Sequence, residues 1–474
     1  MKPKYGRTSL MNLSTLAQRW QNFSHNLRDL WAALPHPTTT HYNSAFGSSA
    51  KLLTHQHNGF CLTGRKQLSR EHSHRHCILF GMTGSGKSSL SLAMSLFTTT
   101  GSMVVFDPGS HLYNATASAM YVYRGYQVKR LNFSNPAVSS GFNPLSFART
   151  DTEINQLAEL LITIALGSSP QSVYWNESGI ELLRLMIKLV FTRQKKYHTL
   201  AHVYHLLSYI EAEPEKVLQL IKATHQPRLI TQLKSFLARD SKLRTSVITT
   251  VQAALQRYAD PKIGLVSSHT NLDLEQLRKR PTVIYVQVSP QDHSYYRTPH
   301  SVFWELLFRQ LLKATVQVDD LPVYLLIDEA GWVTLPSLPT ILAVARKSFG
   351  VMLAVQNAEQ LEAAYGPEGR ATIEANAWSK LFLSAQAPKT AADLSRLLGH
   401  TLVDDARRPL MSELEIRMMT SRQGLLLCGN EKPMLVKLHP YYEQPKYKAW
   451  AKFSQRYPMP SICQHPASQL TYGK

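Results

Sequence analysis

Gly81-Met82-Thr83-Gly84-Ser85-Gly86-Lys87-Ser88 is the stretch on which the reading of this chain turns. It matches G-x-x-x-x-G-K-[ST], a pattern that a chain of 474 residues meets by accident roughly two times in a hundred at average composition. Its surroundings fit the pattern too. The apolar run HCILFG (76–81) reads as a short buried strand, and residues 88–98 read as a helix. Glycines let the backbone turn its N–H groups inward around phosphate oxygens, and the helix N-terminus that follows adds partial positive charge. Gly81, Thr83, Gly84, Ser85, Gly86, Lys87, Ser88 and Ser89 are therefore expected to hold ATP, with Lys87 on the β- and γ-phosphates and Ser88 on Mg²⁺.

A second apolar strand, VYLLID (323–328), ends in the acidic pair Asp328-Glu329 and is expected to lie beside the P-loop strand. There Asp328 would hold the Mg²⁺ through water and Glu329 would polarise an attacking water. Taken alone, the same pattern also suits a strand running into a helix cap. The strand GVMLAVQ (350–356) ends in Gln356, placed either to sense a γ-phosphate or to face a loop. Arg346 and Lys347 precede it; Arg346 is either an arginine finger reaching across a subunit boundary or a solvated side chain. Asp107-Pro108-Gly109 reads first as a turn and second as pocket lining. His72, His74 and His76 alternate without cysteine or carboxylate partners, which favours a solvated lead-in to the strand over a metal site.

Further out, SMVVFD (102–107) and GYQVKRLNF (125–133) alternate with helical patterns, the signature of a parallel sheet covered on both faces. Between about 150 and 260 the strands stop. INQLAELLITIAL (154–166), IELLRLMIKLVF (180–191), LAHVYHLLSYI (200–210) and LRTSVITTVQAALQRY (243–258) all carry three-to-four apolar spacing. Strands resume at 282–288, 323–328, 350–356 and 380–386, and QGLLLCG (423–429) with PMLVKLH (433–439) reads as a hairpin. An all-helical block thus interrupts an α/β domain. Near the N-terminus, Leu13, Leu16, Trp20, Phe23, Leu27, Leu30 and Leu34 form a two-per-heptad stripe ended by Pro35 and Pro37. The expected division is a helix and linker over 1–45, a first nucleotide-binding segment over 46–149, and the all-α block over 150–260. A second nucleotide-binding segment follows over 261–442, then an extended Tyr-, Pro- and Lys-rich tail over 443–474.

Composition narrows the partners. Lys and Arg number 52 against 32 Asp and Glu, a formal charge of +20, which suits a polyanion, either nucleic acid or an anionic membrane face. Arg239, Lys242 and Arg244 in the helical block are candidates for sequence-independent phosphate contacts, and no base-reading module is recognisable. The four cysteines, Cys61, Cys77, Cys428 and Cys463, form no C-x-x-C pair, so neither a zinc ribbon nor a redox motif is suggested, and the usage suits a reducing compartment. Cys77 and Cys428 sit in apolar runs and read as core. The sequence shows neither a signal peptide nor an apolar run long enough for a membrane span.

Taken in order, these motifs resemble the type IV coupling proteins of conjugation and type IV secretion, over about residues 44–442. Gly47-Ser48-Ser49-Ala50 looks like the family's opening motif, GMTGSGKSS (81–89) like its P-loop, and VVFDPGSHL (104–112) like the strand carrying its Asp-Pro turn. Gly141-Phe142-Asn143-Pro144-Leu145 resembles the lead into its helical domain, and Asp260-Pro261 with TVIYVQVSPQD (282–292) the return. The most specific pieces are LIDEAGWV (326–333) and AVARKSFGVMLAVQNAEQLEAAYG (343–366); LSRLLG (394–399) and RRPLMSELEIRMM (407–419) continue the pattern. Two departures stand out. Family members usually carry two N-terminal transmembrane helices, of which this sequence shows none. The family's Asp-Pro-Lys-Gly-Glu here reads Asp107-Pro108-Gly109-Ser110-His111.

The resemblance implies an α/β fold: a RecA-like P-loop NTPase domain with an inserted all-α domain, assembled as a homo-hexamer around DNA, or monomeric when isolated. It implies an ATPase using ATP and Mg²⁺, with Lys87, Ser88, Asp328, Glu329, Arg346 and Gln356 in the family's roles. It also implies relaxase–DNA or secreted protein cargo, and a partner among channel proteins or a membrane anchor. The expected location is the cytoplasm, peripheral to the inner membrane through such a partner. Two rival readings are a docking receptor that binds ATP without pumping, and another RecA-like motor for segregation or packaging.

Overall fold

The computed structural model describes residues 44–167, 173–333, 335–403 and 406–460. The heptad-striped segment over 13–34 and Cys463 lie outside them. Two compact units are present. The smaller, within the described residues, is Ser44 with Gly399–Leu410, where β8 (His400–Val403) pairs antiparallel with β9 (Ala406–Pro409). All other described residues belong to the larger unit.

The larger unit is built on a nine-stranded sheet of order β11-β10-β7-β1-β6-β5-β2-β4-β3. Its strands are β1 (Cys77–Phe80), β2 (Ser102–Pro108), β3 (Gln127–Leu131), β4 (Thr282–Val288), β5 (Val323–Ile327), β6 (Gly350–Val355), β7 (Ser379–Phe382), β10 (Gln423–Cys428) and β11 (Met434–Lys437). From β7 to β3 every pairing is parallel. β10 and β11 close one edge antiparallel, as their hairpin pattern predicts. The central strands are buried along their whole length, because helices cover both faces. That is why these strands read as continuous apolar runs instead of alternating ones. The Phe80 and Phe382 rings stack at 4.6 Å across β1 and β7, and Cys61, Cys77 and Cys428 are buried free thiols.

The strand order corrects one expectation. β5, which ends at the acidic pair, does not adjoin β1; β6 stands between them. Adjacent strands lie about 4.8 Å apart, so β6 opens roughly twice that between the tips of β1 and β5 and sets Gln356 in the gap.

Between β3 and β4 the described residues form helices and no strand: Asp151–Leu166, Val173–Phe191, Leu200–Ala212, Pro214–Lys222, Pro227–Leu237, Ser241–Leu255 and Pro261–Val266, with short 3₁₀ turns. Their root is fastened to the sheet layer. Thr150 and Glu153 form a capping box at the first helix, and Glu153 also takes Lys313 of the helix Arg297–Lys313 at 2.7 Å. Two of the three nominated basic residues have intramolecular partners: Arg239 pairs with Glu181 at 2.8 Å, and Arg244 donates to the Leu237 carbonyl. Lys242 is exposed.

The tail is a second correction. Residues 445–456, expected to be extended, form the helix Pro445–Arg456. Pro445 suits the first turn, where its missing N–H is not needed. Tyr447, Trp450, Ala451 and Ser454 recur at helical spacing and pack toward the helix His111–Arg124, where Ser454 Oγ accepts from Ala119 N at 2.9 Å. The Tyr-, Pro- and Lys-rich composition concealed that period. Among the described residues no helix is long and apolar enough to cross a membrane.

Candidate active site

Parallel strands bring their C-terminal tips to one end of the sheet, and the site is assembled there. β1 ends at Phe80 and the chain turns through Gly84 (φ +83°) and Gly86 (φ +94°), backbone states that residues with a Cβ rarely adopt. A Cβ on Gly86 would also approach Leu90 Cδ1 to 2.8 Å. The turn feeds a wide π-helical turn, Ser88–Leu92, and then the helix Ala93–Thr98. Lys87 is buried and its Nζ donates to the carbonyls of Gly81 and Met82, folding the ammonium back over its own loop. Burial pulls the ammonium below its usual proton affinity, and Glu329 and Asp328 oppose that shift. Ser89 Oγ donates to the Gly86 carbonyl at 3.2 Å.

Ser88 Oγ donates to Asp328 Oδ2 at 2.7 Å across 240 residues of sequence. Asp328 Oδ1 accepts the Glu329 N–H at 3.1 Å. Burial pushes the Asp328 carboxyl up to about 6; the neighbouring Glu329 adds to this, while Ser88 and Lys87 resist it. Glu329 sits at φ +50°, a strained state for a non-glycine residue. Its Oε2 accepts from Gln356 Nε2 at 3.3 Å. Gln356 is steadied in turn by Gln360, whose Oε1 accepts the Gln356 N–H at 2.9 Å. Thr83, Gly84 and Met82 are exposed at the loop crest.

The structure thus gathers Gly81 to Ser89, Asp328, Glu329 and Gln356 at one place. Arg346 is not among them. It precedes β6 and Gln356 follows it, so the length of the strand, about 20 Å at 3.3 Å per residue, separates the two. Arg346 is exposed at the opposite end of the sheet.

Asp107 is a capping group. It is buried and accepts the N–H groups of Leu112 (3.0 Å) and Tyr113 (2.7 Å), so its turn anchors the helix His111–Arg124 to the tip of β2. Burial raises its carboxyl to about 7. The histidine reading is corrected. His72 and His74 lie in the helix Arg70–His74, and His74 and His76 are buried, not solvated. Burial depresses both to about 4, so they are neutral, and His76 Nδ1 accepts from Val351 N at 3.1 Å. The hidden cause is the short helix, which the alternating spacing did not announce. No group of three or more His, Cys, Asp or Glu among the described residues is arranged to hold a metal ion. Two contributors escaped the sequence reading. Gln360 was signalled only by its i+4 spacing from Gln356. Buried Gln386 donates to the carbonyls of Phe80 and Leu383 beneath the loop, and was signalled only by its place after the strand KLFLSAQ.

The sequence profile described as "Type IV secretory system Conjugative DNA transfer" matches residues 43–407. The protein VirD4 of Rhizobium radiobacter is 21% identical over 408 residues, covering 79% of this chain and 58% of VirD4. VirD4 of Agrobacterium fabrum is 20% identical over 404 residues, with 77% and 58% covered. The chain therefore spans less than two thirds of the length of these relatives. Among solved structures, the unbound conjugative coupling protein TrwBdeltaN70 superposes with a TM-score of 0.66 at 18% identity, covering 84% of this chain and 93% of that one. TrwB in complex with the ATP analogue ADPNP gives 0.66 at 19%, covering 84% and 94%. The fold is α/β and RecA-like, with an inserted all-α block. By the profile match across most of its length, the chain belongs to the type IV secretory system conjugative DNA transfer family.

Proposed function

We propose that this protein is an ATPase that recruits DNA, as a relaxase–DNA substrate, and drives it toward a type IV secretion channel. The carrying observation is the junction of Lys87, Ser88, Asp328, Glu329 and Gln356 at one end of the sheet, with Arg346 stranded at the other. TrwB, which shares the fold, has been solved with ADPNP and with ADP and Mg²⁺, which supports the same nucleotide and metal here. The loop amides and Lys87 cradle the phosphates, Lys87 leaving its own carbonyls to do so. Ser88 Oγ and Asp328, already 2.7 Å apart, supply two hard oxygen donors for Mg²⁺, which prefers few protein ligands and takes the rest from phosphates and water. Bound there, the ion would neutralise charge on the β- and γ-phosphates. Glu329 orients and polarises the attacking water, and Gln356, already touching Glu329, reports the γ-phosphate to it.

Arg346 lies too far from the P-loop of its own chain to serve it, so it acts on a neighbour's phosphates in a ring, taken to be a homo-hexamer. A route from the site to the helical block supports motor action. His293 stacks on Trp332 at 4.7 Å, just past the acidic pair, and Tyr295 of the same loop donates to Asp260 Oδ2 at 3.0 Å beneath Arg257. The net charge of +20 supports sequence-independent contact with DNA, and channel proteins or a membrane anchor remain the expected partners.

ATPase rates with and without single- and double-stranded DNA, beside Lys87→Ala and Glu329→Gln, test the reading. DNA stimulation lost in both variants is the expected result. A folded, ATP-binding protein whose turnover ignores DNA, also with channel partners present, would overturn it in favour of a docking receptor.

A further inference from the structure

Arg346 must place a long, flexible side chain on another subunit's phosphate, yet its guanidinium is exposed and has no polar partner among the described residues. It rides on a 7-residue helix, Leu338–Val344, and the 3₁₀ turn Ala345–Lys347, too short to hold a position unaided. Two buried charged side chains grip this segment at its ends. At the start, Glu305 accepts the N–H (3.0 Å) and the hydroxyl of Ser337. At the finish, Arg278 donates from Nη2 to the carbonyls of Ser348 (3.1 Å) and Leu311 (3.2 Å). Glu305 and Leu311 belong to one helix, Arg297–Lys313, so both grips refer the segment to a single rigid element.

Arg278 is the more unusual of the two. It is 5% exposed, yet its Nε and Nη1 have no hydrogen-bond partner and it forms no ion pair among the described residues. A buried guanidinium is costly without a carboxylate to meet it. Its Nη2 alone instead joins two carbonyls from different elements, one of them in the last turn of a helix, where carbonyls lack intrahelical donors. The Ser348 carbonyl lies two residues past Arg346. On the other side, the Arg346 carbonyl lies within reach of the buried His74 ring.

We infer that Arg278 is a positioning residue for the trans-acting Arg346, holding the turn Ala345–Ser348 against the helix Arg297–Lys313 so that the Arg346 guanidinium meets the neighbouring phosphate. The inference rests on the proposed role of Arg346. A misplacement of about 1 Å in such a group costs on the order of a hundredfold in turnover.

The test measures kcat, KM and nucleotide affinity of the assembled full chain for Arg278→Leu, Arg278→Lys, Arg346→Ala and the double variants. Arg278→Leu is expected to lower kcat about a hundredfold with nucleotide affinity unchanged, and to add nothing to Arg346→Ala. Mixing Arg278→Leu with Lys87→Ala subunits should restore turnover at roughly a quarter of the sites, where an intact P-loop meets an intact Arg346 segment. A purely structural defect would not be rescued in trans. Should Arg278→Leu fail to fold, Arg278→Lys, which keeps the charge but ends one bond short of the Nη2 position that makes both contacts, is read in the same cycle. Losses that multiply with Arg346→Ala, or wild-type kcat in both Arg278 variants, overturn the inference alone. Wild-type kcat in Arg346→Ala overturns the role of Arg346 and the inference with it.

Discussion

Replacing Asp328 by Asn should stabilise the nucleotide-free protein while abolishing its turnover. The carboxylate is buried, and burial raises its pKa from 3.8 to about 6. At about 1.36 kcal/mol for each tenfold change in proton affinity, holding the charge in the folded state costs about 3 kcal/mol at pH 8. Asn preserves the hydrogen bonds: its oxygen can accept the Glu329 N–H, and its amide can donate to Ser88 Oγ, which accepts as well as donates. Only the charge is removed. The folded pKa lies above the unfolded one, so this group's contribution to stability is fully present below about pH 4 and is lost as pH rises through about 6. The advantage of Asp328→Asn should therefore be near zero at pH 4 and about 3 kcal/mol at pH 8, read from urea midpoints at both pH values without nucleotide. With Mg²⁺ and ADPNP added, the wild type should gain more than the variant, because its charge then has a cation to meet. A variant less stable than wild type at pH 8, or an advantage equal at both pH values, would refute the argument that burial of this charge dominates.

Three further outcomes follow from the same geometry. Gly86→Ala places a side chain at φ +94° and 2.8 Å from Leu90, so it should lose stability by about 2 kcal/mol and bind ADP at least about tenfold more weakly; Gly84→Ala, with open space around it, should lose only the backbone part, about 1 kcal/mol, as thermal melts and fluorescent-nucleotide titration would show. Glu153→Gln removes the partner of Lys313, whose hydrogen bond holds the Glu153 carboxyl down at about 2; that stability is present above about pH 4.5 and lost as pH falls toward 2, so the variant's deficit of about 1 kcal/mol at pH 7 should shrink in acid denaturant titrations. Trp450→Ala deletes a half-buried ring stacked on Tyr123 at 5.2 Å and should release the helix Pro445–Arg456 at a cost of about 2 kcal/mol, seen as faster amide exchange there with nucleotide affinity unchanged.

Local chemistry was the most legible part of this protein. Gly84 and Gly86 announce their positive φ because only glycine takes such states freely, and the apolar runs ending in Phe80, Ile327 and Val355 announce strands buried on both faces. The helical block was legible because its apolar period changes at Asp151 and changes back at Thr282. Less legible were elements whose cause lies elsewhere in the chain. The helix Pro445–Arg456 owes its form to the surface of His111–Arg124, and the burial of His74 and His76 to the elements that close over them.

From the sequence by itself came the G-x-x-x-x-G-K-S pattern, the acidic pair, the alternation that makes a parallel sheet, and the interruption by helices. All of these depend on neighbours within a few residues. Only the tertiary structure decided that β6 divides β1 from β5, so that Gln356 lies between Lys87 and Glu329. It alone put Ser88 and Asp328 in hydrogen-bond contact across 240 residues, and Arg346 at the far end of the strand that carries Gln356 to the site. Strand order is set by how whole faces of helices and sheet bury against one another, and a pattern with a period of two or three residues carries no record of that choice.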